Sequence, residues 1–271
     1  MKSIASRIAC SLILALVATV ILTAAEPNFS GTWKLNLAKS QLSGPVYTFE
    51  KKPSGLWHYN GGGFDADFDL TGKEFIMPSG MGVVGKELSP TSWELTFRMS
   101  GKVISKSRVS LAGESLMWVS DITNPDGKAV QQSSTDNRVS GGPGFAGKWK
   151  TGDVKGTATT MQIAMEGTNG ITITLPEYQQ VTKGSFDSKD NPVMQGGQAT
   201  KFTNAFTKVG SNTIKITTKL NGKSFAEDVY TISADGRTLT DDGTATATNE
   251  KTKSVFDANE LRRGNSCHAC G

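Results

Sequence analysis

The chain has 271 residues, of which 29 are basic and 25 are acidic, and Lys2 and Arg7 account for half of the net charge of +4. A remaining charge of about +2 is too small for the basic surface that nucleic-acid binding needs. Thirty glycines and nine prolines interrupt segments rich in Thr, Ser, Val and Ile. This composition predicts short strands joined by tight turns and excludes a mainly helical protein.

The first 25 residues have the pattern of a secretory signal peptide. Lys2 and Arg7 precede an apolar run at residues 11–23, and the small residues Ala24 and Ala25 follow it. The run is too short for a good membrane-spanning helix. We therefore expect a periplasmic or secreted protein with no membrane span in the mature chain.

One short segment occurs twice in the remaining chain. Residues 29–34 read FSGTWK, and residues 145–150, 116 positions later, read FAGKWK. The turn at residues 100–102 returns as Asn-Gly-Lys at residues 221–223. Ordered self-similarity over such a period predicts a tandem duplication of one small domain.

Alternation of apolar and polar side chains predicts antiparallel strands. Trp93, Leu95 and Phe97 alternate with Glu94 and Thr96, as in a half-buried strand. The predicted fold is all-β, with two tandem antiparallel β-barrels or, alternatively, open β-sandwich-like sheets.

The repeat suggests a domain organisation. We predict a signal peptide (1–25), a first β-barrel repeat (26–140), a Gly/Pro linker (141–144), a second β-barrel repeat (145–263) and a flexible cysteine-containing tail (264–271).

The repeated motif carries a resemblance. Gly31-Thr32-Trp33 and Gly147-Lys148-Trp149 resemble the Gly-x-Trp opening of the first strand in the lipocalin and fatty-acid-binding (calycin) group. Residues 31–40 and 233–240 also resemble segments of secreted bacterial lipocalin-like tandem-repeat proteins. The two-helix lid of fatty-acid-binding proteins has no counterpart after the first strand.

The resemblance implies a structural role for both motif tryptophans. In the calycin group this tryptophan plugs one end of the barrel, and a basic side chain from the last strand packs across it. Trp33 and Trp149 are the expected plugs, and Arg138 and Arg262 (or Arg263) are their candidate partners.

Aromatic residues are concentrated in the first repeat. It holds four of the five tryptophans, so an aromatic-lined cavity is expected there rather than in the second repeat. The candidate ligand-binding residues are Trp57, Tyr59, Trp93, Phe97 and Trp118. The alternative is that these residues only make a well-packed core.

Polar residues offer little for catalysis. His58 stands apart from the other histidine, His268, so neither a Ser/His/Asp triad nor a metal site is expected. The carboxylates of Asp65 and Asp67 are expected to lie on one strand face that is exposed to solvent. The Asp241-Asp242 pair is also expected to be surface charge. We expect a protein that is not an enzyme and holds no metal or cofactor.

The sequence ends with Cys267-His268-Ala269-Cys270. No histidine follows the second cysteine, as haem attachment requires, and no βαβ context for a thioredoxin-like motif precedes it. We expect a Cys267–Cys270 disulfide, with metal capture or an intermolecular bridge as alternatives.

The sequence therefore favours an exported protein that binds a small hydrophobic molecule, as lipocalins do. The alternative is a non-catalytic structural or protein-interaction module of the cell envelope with filled barrels. A protein partner, if any, is not identified by the sequence.

Overall fold

The structure is a computed structural model that describes residues 28–42, 46–61, 64–77, 79–99, 101–123 and 129–259. The strands in this part of the chain are β1 (Gly31–Leu35), β2 (Val46–Lys51), β3 (Trp57–Gly61), β4 (Phe64–Phe68), β5 (Thr71–Ile76), β6 (Gly82–Ser89), β7 (Ser92–Met99), β8 (Lys102–Ala112), β9 (Ser115–Thr123), β10 (Ala129–Ser140), β11 (Gly147–Lys150), β12 (Lys155–Gly156), β13 (Thr160–Glu166), β14 (Gly170–Leu175), β15 (Gln180–Ser185), β16 (Asn191–Gln195), β17 (Gln198–Lys208), β18 (Thr213–Leu220), β19 (Lys223–Ile232), β20 (Thr238–Ala245) and β21 (Lys251–Ala258). A short 3-10 helix covers Pro176–Tyr178. None of the described helical segments is long and apolar enough to cross a membrane.

The strands form two antiparallel barrels. The C-barrel consists of β1 and β13 to β21, and it closes because β1 pairs with both β13 and β21. The N-barrel has the strand order β4-β3-β2-β11-β10-β9-β8-β7-β6-β5, with β12 paired to β10, and is nearly closed. The prediction of an all-β fold with two antiparallel barrels is confirmed, and the alternative of open sheets is not needed.

The two Gly-x-Trp strands occupy unexpected places in the chain order. Trp33 of β1 lies opposite Met161 and Ala258 of the C-barrel. Trp149 of β11 lies opposite Arg138 and Tyr47 of the N-barrel. The N-barrel is therefore inserted between the first strand of the C-barrel and its remaining strands. β1 pairs with strands of the second predicted repeat, and β11 pairs with strands of the first.

The expected linker at residues 141–144 lies within the N-barrel. It belongs to the six-residue connection between β10 and β11, and so short a connection favours antiparallel pairing of the two strands it joins. Gly147 has a φ of +149°, and a Cβ there would lie 2.6 Å from the Ser140 carbonyl oxygen. Glycine is thus required where this turn meets β11.

The insertion leaves the two ends of the N-barrel side by side. Val46, at the start of β2, lies directly opposite Lys150, at the end of β11. Opposed residues in antiparallel strands are about 5 Å apart. The chain therefore enters the N-barrel at Val46 and leaves it at Lys150 at nearly the same point. Domain insertion is well tolerated at such sites.

The segment after β1 fixes this strand to the C-barrel. The Asn36 amide donates to Asp257 over 2.6 Å, and the Lys39 ammonium lies 3.1 Å from the same carboxylate. The hydrogen bond from Asn36, helped by Lys39, lowers the pKa of Asp257. Gln41 then forms a β-bridge with Lys253.

Each motif tryptophan is buried at the end of a barrel. The Trp33 indole donates to the Phe29 carbonyl over 2.9 Å, and the Trp149 indole donates to the Phe145 carbonyl over 3.0 Å. The Arg138 guanidinium lies 4.1 Å from the centroid of the Trp149 ring. Cation–π attraction and stacking stabilise such an arrangement. Arg262, the expected partner of Trp33, lies outside the described residues.

Engineered disulfides test the placement of β1. Thr32→Cys with Gln162→Cys, in a Cys267→Ser, Cys270→Ser background, should form a disulfide because the two positions face each other across β1 and β13. Mass spectrometry and non-reducing electrophoresis would detect the bridge.

The matched control for this disulfide is Thr32→Cys with Thr48→Cys. Thr48 faces Lys148, the position in β11 that corresponds to Thr32, so a β1 strand in the N-barrel would form this bridge instead. A disulfide in the control and none in the first pair would contradict the strand placement.

Arg138→Lys should lower the free energy of unfolding by about 1–2 kcal/mol, because lysine loses both the stacking on Trp149 and the forked geometry. Arg138 donates to the carbonyls of Ala146 and Gly144 at 3.1 and 2.7 Å. Denaturation followed by tryptophan fluorescence measures the effect. Glu114→Gln is the control, since this ion-pair partner is 78% exposed and should change stability by less than about 1 kcal/mol.

Candidate ligand cavities of the two barrels

The two barrels meet at the ends that lie away from their tryptophan plugs. In the N-barrel, Trp149 is at the end where Ser115 pairs with Asn137, whereas Phe97 and Ser105 pair towards the other end. Side chains from this other end and from the C-barrel line a common cavity. The structure therefore places one cavity inside the N-barrel and a larger one between the barrels.

The N-barrel cavity has a volume of about 240 Å³ and an apolar wall. Its lining residues are Phe49, Tyr59, Ala66, Phe68, Met77, Met81, Val83, Leu95, Phe97 and Trp118. An apolar cavity of about 150 Å³ is large enough for benzene, so this one has room for a ligand of about ten non-hydrogen atoms.

Three of the five aromatic residues predicted to bind a ligand line this cavity: Tyr59, Phe97 and Trp118. Trp93 does not line it and is fully buried, with its ring stacked on Phe145 at a centroid distance of 3.7 Å. Trp57 packs on Trp93 at 4.7 Å. These two tryptophans therefore form core beneath the cavity.

The polar atoms beside the N-barrel cavity satisfy one another. The Trp118 indole donates to the Tyr47 hydroxyl over 2.9 Å, and that hydroxyl donates to Asp136 over 2.6 Å. The backbone N–H of Gly152 donates to the other oxygen of Asp136. Burial, with the nearby Asp136 carboxylate, raises the pKa of Tyr47. The Trp118 indole N–H is therefore already bonded within the protein.

The second cavity, here named the shared cavity, has a volume of about 550 Å³. The N-barrel contributes Ser79, Met81, Phe97, Met99, Ile104 and Ser105. The C-barrel contributes apolar residues such as Ile173 and Ile216, together with a polar belt in which Thr218 donates to Asn204 and Asn204 donates to Thr182. Met81 and Phe97 line both cavities and so form the wall between them.

Two carboxylates face the interior of the C-barrel. Asp228 lines the shared cavity beside Tyr230, and Asp241 lies opposite Tyr230 in the register of β19 and β20. Burial, with the charge of Asp228, raises the pKa of Asp241 to about 8. Burial, with the charge of Glu227, raises the pKa of Asp228 to about 6.

The expectation that Asp241-Asp242 is surface charge is wrong for Asp241. Its Oδ1 atom is buried and has no hydrogen-bond partner among the described residues, whereas Asp242 is exposed. The signal for this was present in the sequence, because Leu239, Asp241 and Gly243 alternate on one strand face. Leu239 is fully buried, so Asp241 shares the core-facing side.

The acidic face of β4 lies on the outside of the N-barrel. Asp67 contacts the Lys52 ammonium at 2.7 Å and the His58 ring at 2.8 Å, and hydrogen bonds from Lys52 and then His58 lower its pKa. Asp65 is more exposed and lies 3.7 Å from His58. Among the described residues no group of three or more His, Cys, Asp or Glu side chains is placed to hold a metal ion.

Several predicted features lie outside the described residues. They are the signal peptide at 1–25, Arg262 and the Cys267–Cys270 disulfide. The structure neither supports nor contradicts them.

Comparison of this chain with protein-family models, with curated proteins and with solved structures finds no match.

The buried carboxylates predict a pH-dependent stability. Between about pH 4 and pH 8 the folded chain holds protons on Asp228 and Asp241 that the unfolded chain has lost, so stability falls as pH rises through this window. Each pKa unit of difference corresponds to about 1.4 kcal/mol. Asp241→Asn should flatten the pH profile of the unfolding free energy.

Asp242→Asn is the control for this prediction, because it removes the neighbouring carboxylate on the exposed face, 4.0 Å from Lys253. It should leave the slope between pH 4 and pH 8 unchanged. Equal slopes for wild type and Asp241→Asn would show that Asp241 is not the buried titrating group.

Proposed function

We propose that this protein is an exported, lipocalin-like binding protein whose N-barrel holds a small apolar molecule. The observation that carries the proposal is the N-barrel cavity of about 240 Å³ with its apolar and aromatic lining. Apolar concave sites inside a β-barrel are typical of small-molecule binding.

The chemistry of the cavity wall defines the ligand. No charged side chain lines it in the described part of the chain, and the indole N–H of Trp118 is already donated to Tyr47. A ligand that loses about 200 Å² of apolar surface gains about 5 kcal/mol before the cost of immobilisation. The expected ligand is therefore a compact hydrocarbon-like or aromatic molecule, bound with a dissociation constant of about 0.2 mM or weaker.

Two further observations support the lipocalin-like assignment and export. The N-barrel has a Gly-x-Trp strand with an arginine over its indole, as the resemblance to the calycin group implies. The signal-peptide pattern at residues 1–25 supports a periplasmic or secreted location. The absence of a recognisable triad in the sequence supports a binding role over catalysis.

The test of this proposal is to fill the cavity. Ala66 is 5% exposed and lines the cavity wall, so Ala66→Leu should occupy part of the space and weaken binding of n-butylbenzene by about tenfold or more. Isothermal titration calorimetry on the wild-type and variant proteins measures the difference.

Ala112→Leu makes the same replacement at an exposed position of β8 and should leave binding unchanged. Circular dichroism shows whether Ala66→Leu is folded. If n-butylbenzene binds neither the wild type nor the control, the filled-barrel alternative, a structural or protein-interaction module of the cell envelope, replaces this proposal.

A further inference from the structure

The shared cavity differs from the N-barrel cavity in its unbalanced charge. Asp228 lines the shared cavity and makes no ion pair with any residue that the structure describes, and Asp241 Oδ1, on the neighbouring strand, is buried without a hydrogen-bond partner there. Burying a carboxylate without a partner is costly, and a proton or a cation would offset that cost.

The surrounding strands supply no cation to the interior. On β18 the inward-facing residues next to Asp228 are Ile216 and Thr218, and on β21 Ser254 lies opposite Asp241. The neighbouring acids Glu227 and Asp242 face outwards, where Lys215 lies 3.0 Å from Glu227 and Lys253 lies 4.0 Å from Asp242. Lys215 and Lys253 therefore lie beside acids on the outer face and not beside Asp228 or Asp241.

The strand beside Asp228 leaves room for its carboxylate. A Cβ atom on Gly243 would lie 2.9 Å from Asp228 Oδ1 and 2.7 Å from the Thr252 hydroxyl oxygen. The carboxylate therefore occupies the space over Gly243 that any other residue would fill. Its position depends on this glycine.

The opposite side of the shared cavity is mainly apolar, although Ser79 and Ser105 also line it. Met81, Phe97, Met99 and Ile104 reach it from the N-barrel and face the polar wall of the C-barrel. A ligand that fills the cavity meets hydrocarbon on one side and a carboxylate on the other.

We propose that the shared cavity binds an amphipathic organic cation, with its ammonium group at Asp228 and its apolar chain against Met81 and Phe97. An ammonium group has three donors and no acceptor, so it can bond to the Asp228 carboxylate, and its charge also offsets that of the nearby Asp241. A bare divalent metal ion fits less well, because two carboxylates give too few oxygen ligands in a largely apolar space.

This inference concerns a different cavity from the proposed function and does not depend on it. The probe pair is n-octylamine and 1-octanol, which share a chain and differ in charge. On the full-length protein at pH 7, octylamine should bind about tenfold or more tightly than octanol, since a buried charge-assisted contact is lost in the alcohol. Isothermal titration calorimetry measures both affinities.

Three variants locate the site. Asp228→Asn should weaken octylamine to the affinity of octanol and leave octanol unchanged. Gly243→Ala should have the same effect by displacing the carboxylate without removing it. Asp242→Asn, on the exposed face, should change neither probe, and circular dichroism checks that each variant is folded.

The pH dependence provides a separate measurement. An alkylammonium group, like a lysine side chain, stays protonated to about pH 10. Octylamine binding should therefore strengthen from pH 5 to pH 8 as Asp228 and then Asp241 lose their protons, while octanol binding stays constant.

Equal binding of the two probes by the wild-type protein, or no binding of octylamine, would overturn the inference. So would loss of octylamine binding in Ala66→Leu with retention in Asp228→Asn, because the amine would then lie in the N-barrel. Calcium binding that displaces octylamine would assign the carboxylates to a metal. Failure of n-butylbenzene binding alone would affect only the proposed function.

Discussion

The rest of the structure depends on where the two Gly-x-Trp strands, β1 and β11, pair. Trp33 and Trp149 each bring a buried indole to a barrel end, bonded to the carbonyl four residues earlier. A fully buried tryptophan contributes a large apolar area, and its strand links two others: β1 links β13 to β21, and β11 links β10 to β2. Which copy of the motif joins which barrel therefore decides how the chain is divided between the two barrels.

Local chain connection explains that choice. The six-residue connection at 141–146 returns β11 to β10, so β11 completes the N-barrel and β1 remains for the C-barrel. Loop closure costs only about 0.6 kcal/mol for each doubling of loop length. The entropic cost of joining β1 to the rest of the C-barrel is lower still once the N-barrel has folded, because Val46 and Lys150 are then neighbours. The insertion of the N-barrel connects the two barrels at nearly one point. The barrel ends that lie away from Trp33 and Trp149 then face the shared cavity.

The sequence predicted strands, turns and two barrels because alternation and Gly-rich turns are local signals. It could not predict the placement of β1, because the two Gly-x-Trp segments are nearly identical and the pattern of either fits either barrel. The strands with which β1 pairs also lie far from it in the chain. Tyr59, Phe97 and Trp118 could be found from aromatic content, but Trp93 has the same pattern and is core. The acidic neighbour Asp242 makes Asp241 resemble surface charge, although alternation with the buried Leu239 along β20 places Asp241 inside.

The two cavities differ because polar groups are satisfied in one and not in the other. Asp136 of the N-barrel receives hydrogen bonds from Tyr47 and Gly152, so both of its oxygens have partners within the protein. Asp241 Oδ1 has no donor among the described residues, and burial raises the pKa of both Asp228 and Asp241, so a proton or a bound cation would stabilise them. Met81 and Phe97 belong to both walls, and a ligand that displaces either side chain changes the space available on the other side.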